Sequence, residues 1–245
     1  MNDDEPLPLP SLGDYVQALR KRRGYSQADL KQAGLGLGTI RNIEQNQVAK
    51  LTDTVLNALV SILRPNADEL AHLRALAGHP PEHERIPIAD EVAISLVTAF
   101  DPNPAAYLTG WAVSRTRAGA PMANTAFDRL WPGLSEAKTL LHWWFGDAEA
   151  MRRTPDWRQE VTILTGLFRH AAATTSREEA AAILDELGGD PVFRQVWNSG
   201  YVCVARPHPR RRVWDPEREC ELAVYEELLV WPQTARRGLL LGVIG

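Results

Sequence analysis

Residues 26–47 read SQADLKQAGLGLGTIRNIEQNQ, and this stretch decides the fold of the N-terminal part of the chain. A helix-turn-helix needs a first helix that starts with a hydrogen-bonding residue, a tight turn that usually holds glycine, and a second helix with a polar outer face. The stretch supplies these parts in order, in Gln27, Gly34, Thr39, Arg41 and Asn42. It therefore predicts a helix-turn-helix whose apolar residues face a shared core.

Apolar residues at helical spacing extend this pattern on both sides. Leu12, Tyr15 and Leu19 recur before the stretch, and Leu56, Leu59 and Leu63 recur after it. Such periodicity predicts amphipathic helices, and we expect five short helices around one small core over residues 11–77. Residues 1–10 are acidic and proline-rich, which predicts a disordered N-terminal arm.

The stretch resembles the helix-turn-helix family of phage repressors and xenobiotic-response-element (XRE) regulators, whose pattern is Q-x-x-L-A-x-x-x-G-V-S-x-x-x-I-x-x-I-E. The chain matches this pattern at Gln27, Leu30, Gly34, Leu35, Ile40, Ile43 and Glu44. It departs from the pattern at the start of the second helix, where Gly36 replaces the usual Ser or Thr. A glycine cap costs only a few tenths of a kcal/mol relative to Ser, so the helix is still expected.

This resemblance implies that the second helix enters the major groove of a double-stranded operator. Arg41 would take a guanine edge and Asn42 an adenine edge, beside Thr39, while Leu37 would touch a thymine methyl group. Gln27 would brace a phosphate. Further candidate DNA contacts are Gly38, Asn46, Lys50, Arg22 and Arg23. The two arginines also have a structural interpretation, since they lie at the negative end of the first helix dipole.

The charge distribution is consistent with a DNA contact limited to this region. The formal net charge of the chain is -4, which argues against non-specific coating of nucleic acid. Residues 11–50, in contrast, contain seven Lys or Arg and three acidic residues. A module of this kind reads only a few base pairs, so we expect a homodimer on a pseudo-palindromic operator.

The aromatic residues divide the chain into two parts. All eight Trp and all five Phe lie beyond residue 99. Residues 78–89 read GHPPEHERIPIA, a proline-rich and charged composition through which neither helix nor sheet continues. We therefore predict a linker at 78–89 and a second domain at 90–245.

The second domain shows signals of both helices and strands. Residues 156–170 and 177–187 have helical periodicity, whereas residues 106–116, 201–205, 219–231 and 238–244 are β-branched or apolar runs. These patterns predict an α+β fold, in which an antiparallel sheet is flanked by helices.

Catalytic and metal-binding patterns were not found. Self-cleaving repressors use a Ser–Lys pair, but the only lysine beyond residue 50 is Lys138, with no evident serine partner. The H-E-x-x-H motif is absent, and two cysteines are too few for a disulfide framework or a metal knuckle. We expect no enzyme activity, no cofactor and no metal. We also expect a cytoplasmic protein, because neither a membrane span nor a secretory leader is evident.

The aromatic segments of the second domain resemble the ligand-binding domain of MmyB-like regulators. The resemblance rests on LLHWWFGD at 140–147, Asp156-Trp157, Asp190-Pro191, Phe193 and Trp197, and the strands that follow. It implies a PAS-like domain with a five-stranded sheet that binds a small hydrophobic ligand, and one member of the family holds a fatty acid. The family usually has Arg where this chain has His142, which would bind an acidic head group only when it is protonated.

We therefore expect an apolar cavity in the second domain, occupied by a small hydrophobic ligand that modulates operator binding. The candidate ligand residues are Tyr107, Trp111, His142, Trp143, Phe145, Phe168 and Trp197. Each of them could instead belong to an ordinary aromatic core. The alternative is that the second domain is only a dimerisation or protein-interaction module.

Overall fold

The computed structural model describes residues 6–79, 90–173, 177–230 and 237–245. The chain forms two compact units, one of residues 1–81 with 162–206 and one of residues 82–161 with 207–245. Most of the predicted linker (residues 80–89) and the first five residues of the predicted arm lie outside the described residues. In the part of the chain that is described, no helix is long and apolar enough to cross a membrane.

The first unit begins with the five helical segments that the sequence predicts. They are α1 (Leu12–Arg22), a 3-10 helix (Asp29–Ala33), α2 (Leu37–Glu44), α3 (Asp53–Leu63) and α4 (Ala67–Leu76). The second segment is a short 3-10 helix, and Gly34, in the left-handed conformation at φ 80, ends it after five residues. Before this segment, Ser26 and Asp29 bond each other reciprocally, with Ser26 N donating to Asp29 Oδ2 at 2.7 Å and Asp29 N to Ser26 Oγ at 3.3 Å.

Gly13 allows the start of α1 to approach the end of α2. A Cβ atom on Gly13 would lie 2.4 Å from the Ile43 carbonyl oxygen and 2.8 Å from the Glu44 carbonyl oxygen. The Gly13 N–H donates to Asn46 Oδ1 at 2.7 Å, and Asn46 adopts the left-handed conformation at φ 57. The absence of a side chain at Gly13 therefore sets how closely these two helices pack.

Three further helices belong wholly or partly to the first unit. α9 (Trp157–Ala172), α10 (Arg177–Leu187) and α11 (Pro191–Asn198) follow one another in the chain. The two helices predicted from periodicity in this region, at 156–170 and 177–187, are confirmed. The boundary between the units falls within α9, after Val161, so this one helix contributes residues to both.

The second unit is built on an antiparallel sheet of five strands. The strands are β1 (Ala105–Thr109), β2 (Ala112–Val113), β3 (Arg210–Asp215), β4 (Cys220–Val230) and β5 (Arg237–Ile244). Their order is β2-β1-β5-β4-β3, and every neighbouring pair is antiparallel. The predicted α+β class is confirmed, while the PAS-like assignment stays a prediction.

The helices of the second unit are α5 (Asp90–Ala99), α6 (Thr125–Leu130), α7 (Leu140–Gly146) and α8 (Ala148–Arg153). Ala93 and Val97 of α5 pack with Tyr107 and Leu239, which lie opposite each other on β1 and β5. Helices α6 and α8 contact β3.

One predicted strand, at residues 201–205, is wrong. The structure has no strand there, and Val202 and Cys203 are buried in the first unit instead, while Val204 and Ala205 are exposed. Val202 joins the core formed by the N-terminal helices, and the Tyr201 ring packs where Gly166 has no side chain, 2.7 Å from the position of a Cβ. A short apolar run reports burial but not whether a sheet or a set of helices buries it. Conversely, β3 was missed, because its arginine-rich sequence lacks a strand signal.

We expect Gly13→Ala to lower the free energy of unfolding by about 1–3 kcal/mol, because the new methyl group meets backbone oxygens that cannot move away alone. The control is Gly38→Ala in α2, where an added Cβ meets nothing within 4 Å. That control should raise stability by about 0.5–1 kcal/mol, the gain in helix propensity. Urea unfolding followed by far-UV circular dichroism measures both, and equal effects of the two variants would contradict the close approach.

Candidate DNA interface and candidate ligand site

α2 has an apolar side and a polar side. Ile40 and Ile43 point into the core and are each 1% exposed. Of the positions predicted to face base pairs, Leu37 is half-buried. The other four are exposed, and they are Gly38, Thr39, Arg41 and Asn42. The structure thus places the predicted base-facing side chains together on the outer surface of one eight-residue helix.

A buried ion pair attaches the end of α2 to α1. Arg20 Nε lies 2.6 Å from Glu44 Oε1, and Arg20 Nη2 lies 3.0 Å from Glu44 Oε2. Burial by itself would raise the pKa of Glu44, but hydrogen bonds from Arg20 and Gln27 outweigh it and hold that pKa below its usual value. The hydrogen bond to Glu44 in turn raises the pKa of Arg20. Both side chains therefore stay charged inside the fold.

Gln27, predicted to brace a phosphate, is attached to the same ion pair. Its Nε2 donates to Glu44 Oε2 at 2.7 Å, and its side chain is half-buried. Glu44 was recognised in the sequence as part of the helix-turn-helix pattern, but Arg20 was not predicted as its partner. A carboxylate inside an apolar pattern requires a cation, and that requirement could have identified the arginine.

The predicted phosphate contacts differ in their surroundings. Arg23 donates from Nε to the Leu63 carbonyl oxygen at 3.1 Å and from Nη2 to Glu69 Oε2 at 2.7 Å. Arg22 lies 3.6 Å from Glu69 Oε1 and is otherwise exposed. Both arginines thus help to fasten α1 to the start of α4. Asn46 accepts the Gly13 N–H, as described above, and the exposed Lys50 has its stem beside Gly78.

The predicted ligand residues divide between the two units. Tyr107, Trp111, His142, Trp143 and Phe145 belong to the second unit. Phe168 and Trp197 belong to the first, where their ring centroids lie 5.6 Å apart. The seven predicted ligand residues therefore do not belong to a single unit.

Within the second unit, the aromatic residues mostly pack against each other. Trp143 meets Trp144 edge to face at a centroid distance of 5.2 Å, and Trp143 Nε1 donates to the Pro132 carbonyl oxygen at 3.0 Å. Phe145 packs edge to face with Trp157 at 6.2 Å. Tyr107 is 1% exposed, and its hydroxyl group has no hydrogen-bond partner among the described residues.

His142 and Trp143 line an open depression of about 330 Å³. The charged residues around it are Glu136, Lys138 and Asp147. His142 Nδ1 lies 2.7 Å from Thr139 Oγ1. Charged side chains share this lining with Trp143 and Ala137, so the depression differs from the predicted apolar cavity.

A buried charge cluster, here called the Arg211 network (Arg211, Glu160 and Glu226), lies in the second unit. Arg211 Nε lies 3.0 Å from Glu160 Oε2, and Arg211 Nη1 lies 3.0 Å from Glu226 Oε1. The guanidinium carbon lies 4.8 Å from the centroid of the Trp144 ring, in cation–π geometry. The sequence analysis missed this network. Alternation along β3 turns Arg211 inward and Arg210 outward, but a run of arginines does not reveal that it forms a strand.

A second buried polar cluster, here called the ring contact (Tyr15, His72 and His170), lies in the first unit. His72 of α4 is fully buried and meets Tyr15 of α1 edge to face at 4.7 Å. Its other neighbour is His170 of α9, at a centroid distance of 5.6 Å. Neither ring nitrogen of His72 has a hydrogen-bond partner among the described residues. The sequence analysis missed this contact, although His72 occupies a core-facing position of α4 one residue before Leu73.

No group of three or more His, Cys, Asp or Glu within the described ranges could hold a metal ion.

The profile of the family described as MmyB-like transcription regulator ligand binding domain matches residues 90–243. No curated protein matches the chain.

The ring contact predicts a pH dependence of stability. Burial lowers the pKa of His72 to about 3, with the charges of His170 and Arg169 acting in the same direction. The unfolded chain binds this proton near pH 6.5, so the free energy of unfolding falls as the pH drops from about 6.5 toward 3, by up to about 1.4 kcal/mol per pH unit. Burial also lowers the pKa of His170, which adds to this slope.

Urea unfolding between pH 7 and pH 4 measures the effect. His72→Phe should make the slope of stability against pH less steep, because phenylalanine cannot titrate. The exposed His208, replaced by Phe, is the control and should leave the slope unchanged. If the slope of stability against pH in His72→Phe equals that of the wild type, burial does not lower the pKa of His72.

Proposed function

Because the chain belongs to the family of transcription regulators with an MmyB-like ligand-binding domain, we propose that it is a sequence-specific DNA-binding regulator whose second domain binds a small hydrophobic ligand that modulates operator binding. The family match is the observation that carries this proposal. We also propose that the chain acts as a regulator and not as an enzyme.

The DNA part of the proposal is supported by the arrangement of α2. Recognition by a helix-turn-helix requires polar side chains that project from a helix held in a constant position. Thr39, Arg41 and Asn42 are exposed, and the pair of Arg20 and Glu44 fixes the helix that carries them. We propose that Arg41 binds a guanine edge, that Asn42 binds an adenine edge, and that two copies of the chain read a pseudo-palindrome.

The ligand part is supported by the family match and by the five-stranded antiparallel sheet that a PAS-like domain implies. The fatty-acid-like ligand inferred from the resemblance would need an apolar cavity. His142, in the lining of the open depression, is the residue we propose for the head group of such a ligand.

The alternative, an interaction module, is favoured by one specific observation. Trp214, Tyr225 and Val243 are 37%, 47% and 49% exposed on the sheet, and Tyr225 and Val243 lie directly opposite each other on β4 and β5. Exposed aromatic residues on a sheet are typical of contact surfaces. A second domain with no ligand would therefore act through this face.

Arg41→Ala tests the DNA interface. An operator is first selected from random double-stranded DNA with the wild-type protein. We expect the variant to bind this operator about 1–3 kcal/mol more weakly and to lose preference at one base position, because a bidentate contact is removed.

Arg74→Ala in α4 is the matched control, because it removes the same charge from an exposed helix position outside α2. Fluorescence anisotropy at fixed salt concentration measures both affinities. Equal losses of operator affinity in the two variants would show that Arg41 contributes only general electrostatic attraction. That result would contradict base reading by Arg41.

Incubation with lipid extract tests the ligand. The purified full-length chain is exposed to a total lipid extract, washed, denatured and measured by mass spectrometry. We expect one class of hydrophobic molecule at a constant ratio to protein, and a lower ratio in His142→Ala if His142 binds the head group. A protein that consistently carries no lipid would support the interaction module.

A further inference from the structure

Helices from the family domain are part of the DNA-reading unit. The family profile covers residues 90–243, yet residues 162–206 cluster with the N-terminal helices in one compact unit. Val202 completes the core formed by α1 to α4. The Val204 N–H donates to Asp68 Oδ1 at 3.2 Å, and Trp197 Nε1 donates to the Pro8 carbonyl oxygen at 3.3 Å. The helix-turn-helix is thus packed against chain that belongs to the ligand-binding family.

The ring contact is one point where α9 meets the helices of the proposed DNA interface. It joins His170 of α9 to His72 of α4 and Tyr15 of α1. The neighbouring Arg169 lies 4.1 Å from the centroid of the Trp197 ring and donates to the Trp197 carbonyl oxygen, which fastens α9 to α11.

This contact contains buried polar atoms without a hydrogen bond among the described residues. A buried polar atom without a hydrogen bond loses its interaction with water and gains nothing in return. Both nitrogens of His72 and Nδ1 of His170 are in this state. The ring contact therefore opens at lower cost than a fully apolar contact of the same area would.

The other end of α9 is held by charge. Glu160, in the first turn of the helix, pairs with Arg211 within the second unit, and both side chains are buried. Glu160 and His170 are ten positions apart on a continuous helix, which corresponds to a rise of about 15 Å. A helix with a hydrogen-bonded backbone transmits a displacement of one end to the other.

We propose that α9 couples the Arg211 network to the DNA-reading helices, and that the ring contact is the releasable end of this connection. This inference rests on the proposed function, because it assigns the route by which the ligand-binding domain would change operator binding. A change at the Arg211 network would shift α9, loosen the ring contact and free α4 from α9.

Hydrogen exchange of the full chain, followed by mass spectrometry, tests the coupling without DNA. Glu160→Gln removes the charge of one partner in the Arg211 network and keeps the size of its side chain. We expect amides in the second half of α9 and in α4 to exchange about tenfold faster, while those of α3 change little. The control is Glu136→Gln, which breaks an exposed pair with Arg115 in the second unit and should leave α4 unchanged.

His72→Phe then tests the route. If the ring contact carries the coupling, Glu160→Gln should have a smaller effect on α4 in the His72→Phe background than in the wild type. Three results would each overturn the proposal. They are an unchanged exchange rate in α4 of Glu160→Gln, an equal rise in exchange rate in all of α1 to α4, and the same rise in α4 with and without His72→Phe. Should Glu160→Gln fail to fold, Arg211→Lys perturbs the same network with its charge retained.

Operator affinity separates this proposal from the proposed function. Glu160→Gln should change the Kd for the selected operator by about threefold or more, whereas Glu136→Gln should not. Altered exchange in α4 with unchanged Kd would refute the regulatory role of α9. If the wild-type protein selects no DNA, the proposed function fails, while the exchange experiment still decides whether α9 and α4 are coupled.

Discussion

The ion pair between Arg20 and Glu44 is the interaction on which the proposed DNA-reading surface depends. It places two charges in the interior, where neither would be stable without the other. Because the guanidinium group holds both carboxylate oxygens, it specifies position more than it adds stability. The last turn of α2 is thereby tied to α1, and Gln27 ties the segment before the 3-10 helix to the same carboxylate.

Two features let this pair form. Gly13 lacks the side chain that would otherwise keep α1 away from the backbone of Ile43 and Glu44. Ile40 and Ile43 turn one side of α2 into the core, so that the opposite side, with Arg41 and Asn42, faces solvent. A change in the packing of α1 would therefore alter the orientation of every predicted base contact at once.

Two other clusters of buried polar groups differ in the partners that surround them. Arg211 is surrounded by two carboxylates and a tryptophan face, an arrangement that balances the cost of burying its charge. His72 is buried between two rings with its nitrogens unpaired. α9 contributes Glu160 to the first cluster and His170 to the second. These two contributions support the assignment of α9 as the element that couples the two.

The sequence by itself determined the elements whose signals are local. The spacing of Gln27, Gly34, Ile40 and Glu44 predicted the helix-turn-helix, and periodicity predicted α9 and α10, because a repeat along the chain maps directly onto one face of a helix. Tertiary structure alone decided that residues 201–205 pack with helices, that Phe168 and Trp197 belong to a different unit from Trp143, and that His72 meets His170. These outcomes depend on which distant surfaces meet, and a local pattern reports that a side chain is buried without reporting what buries it.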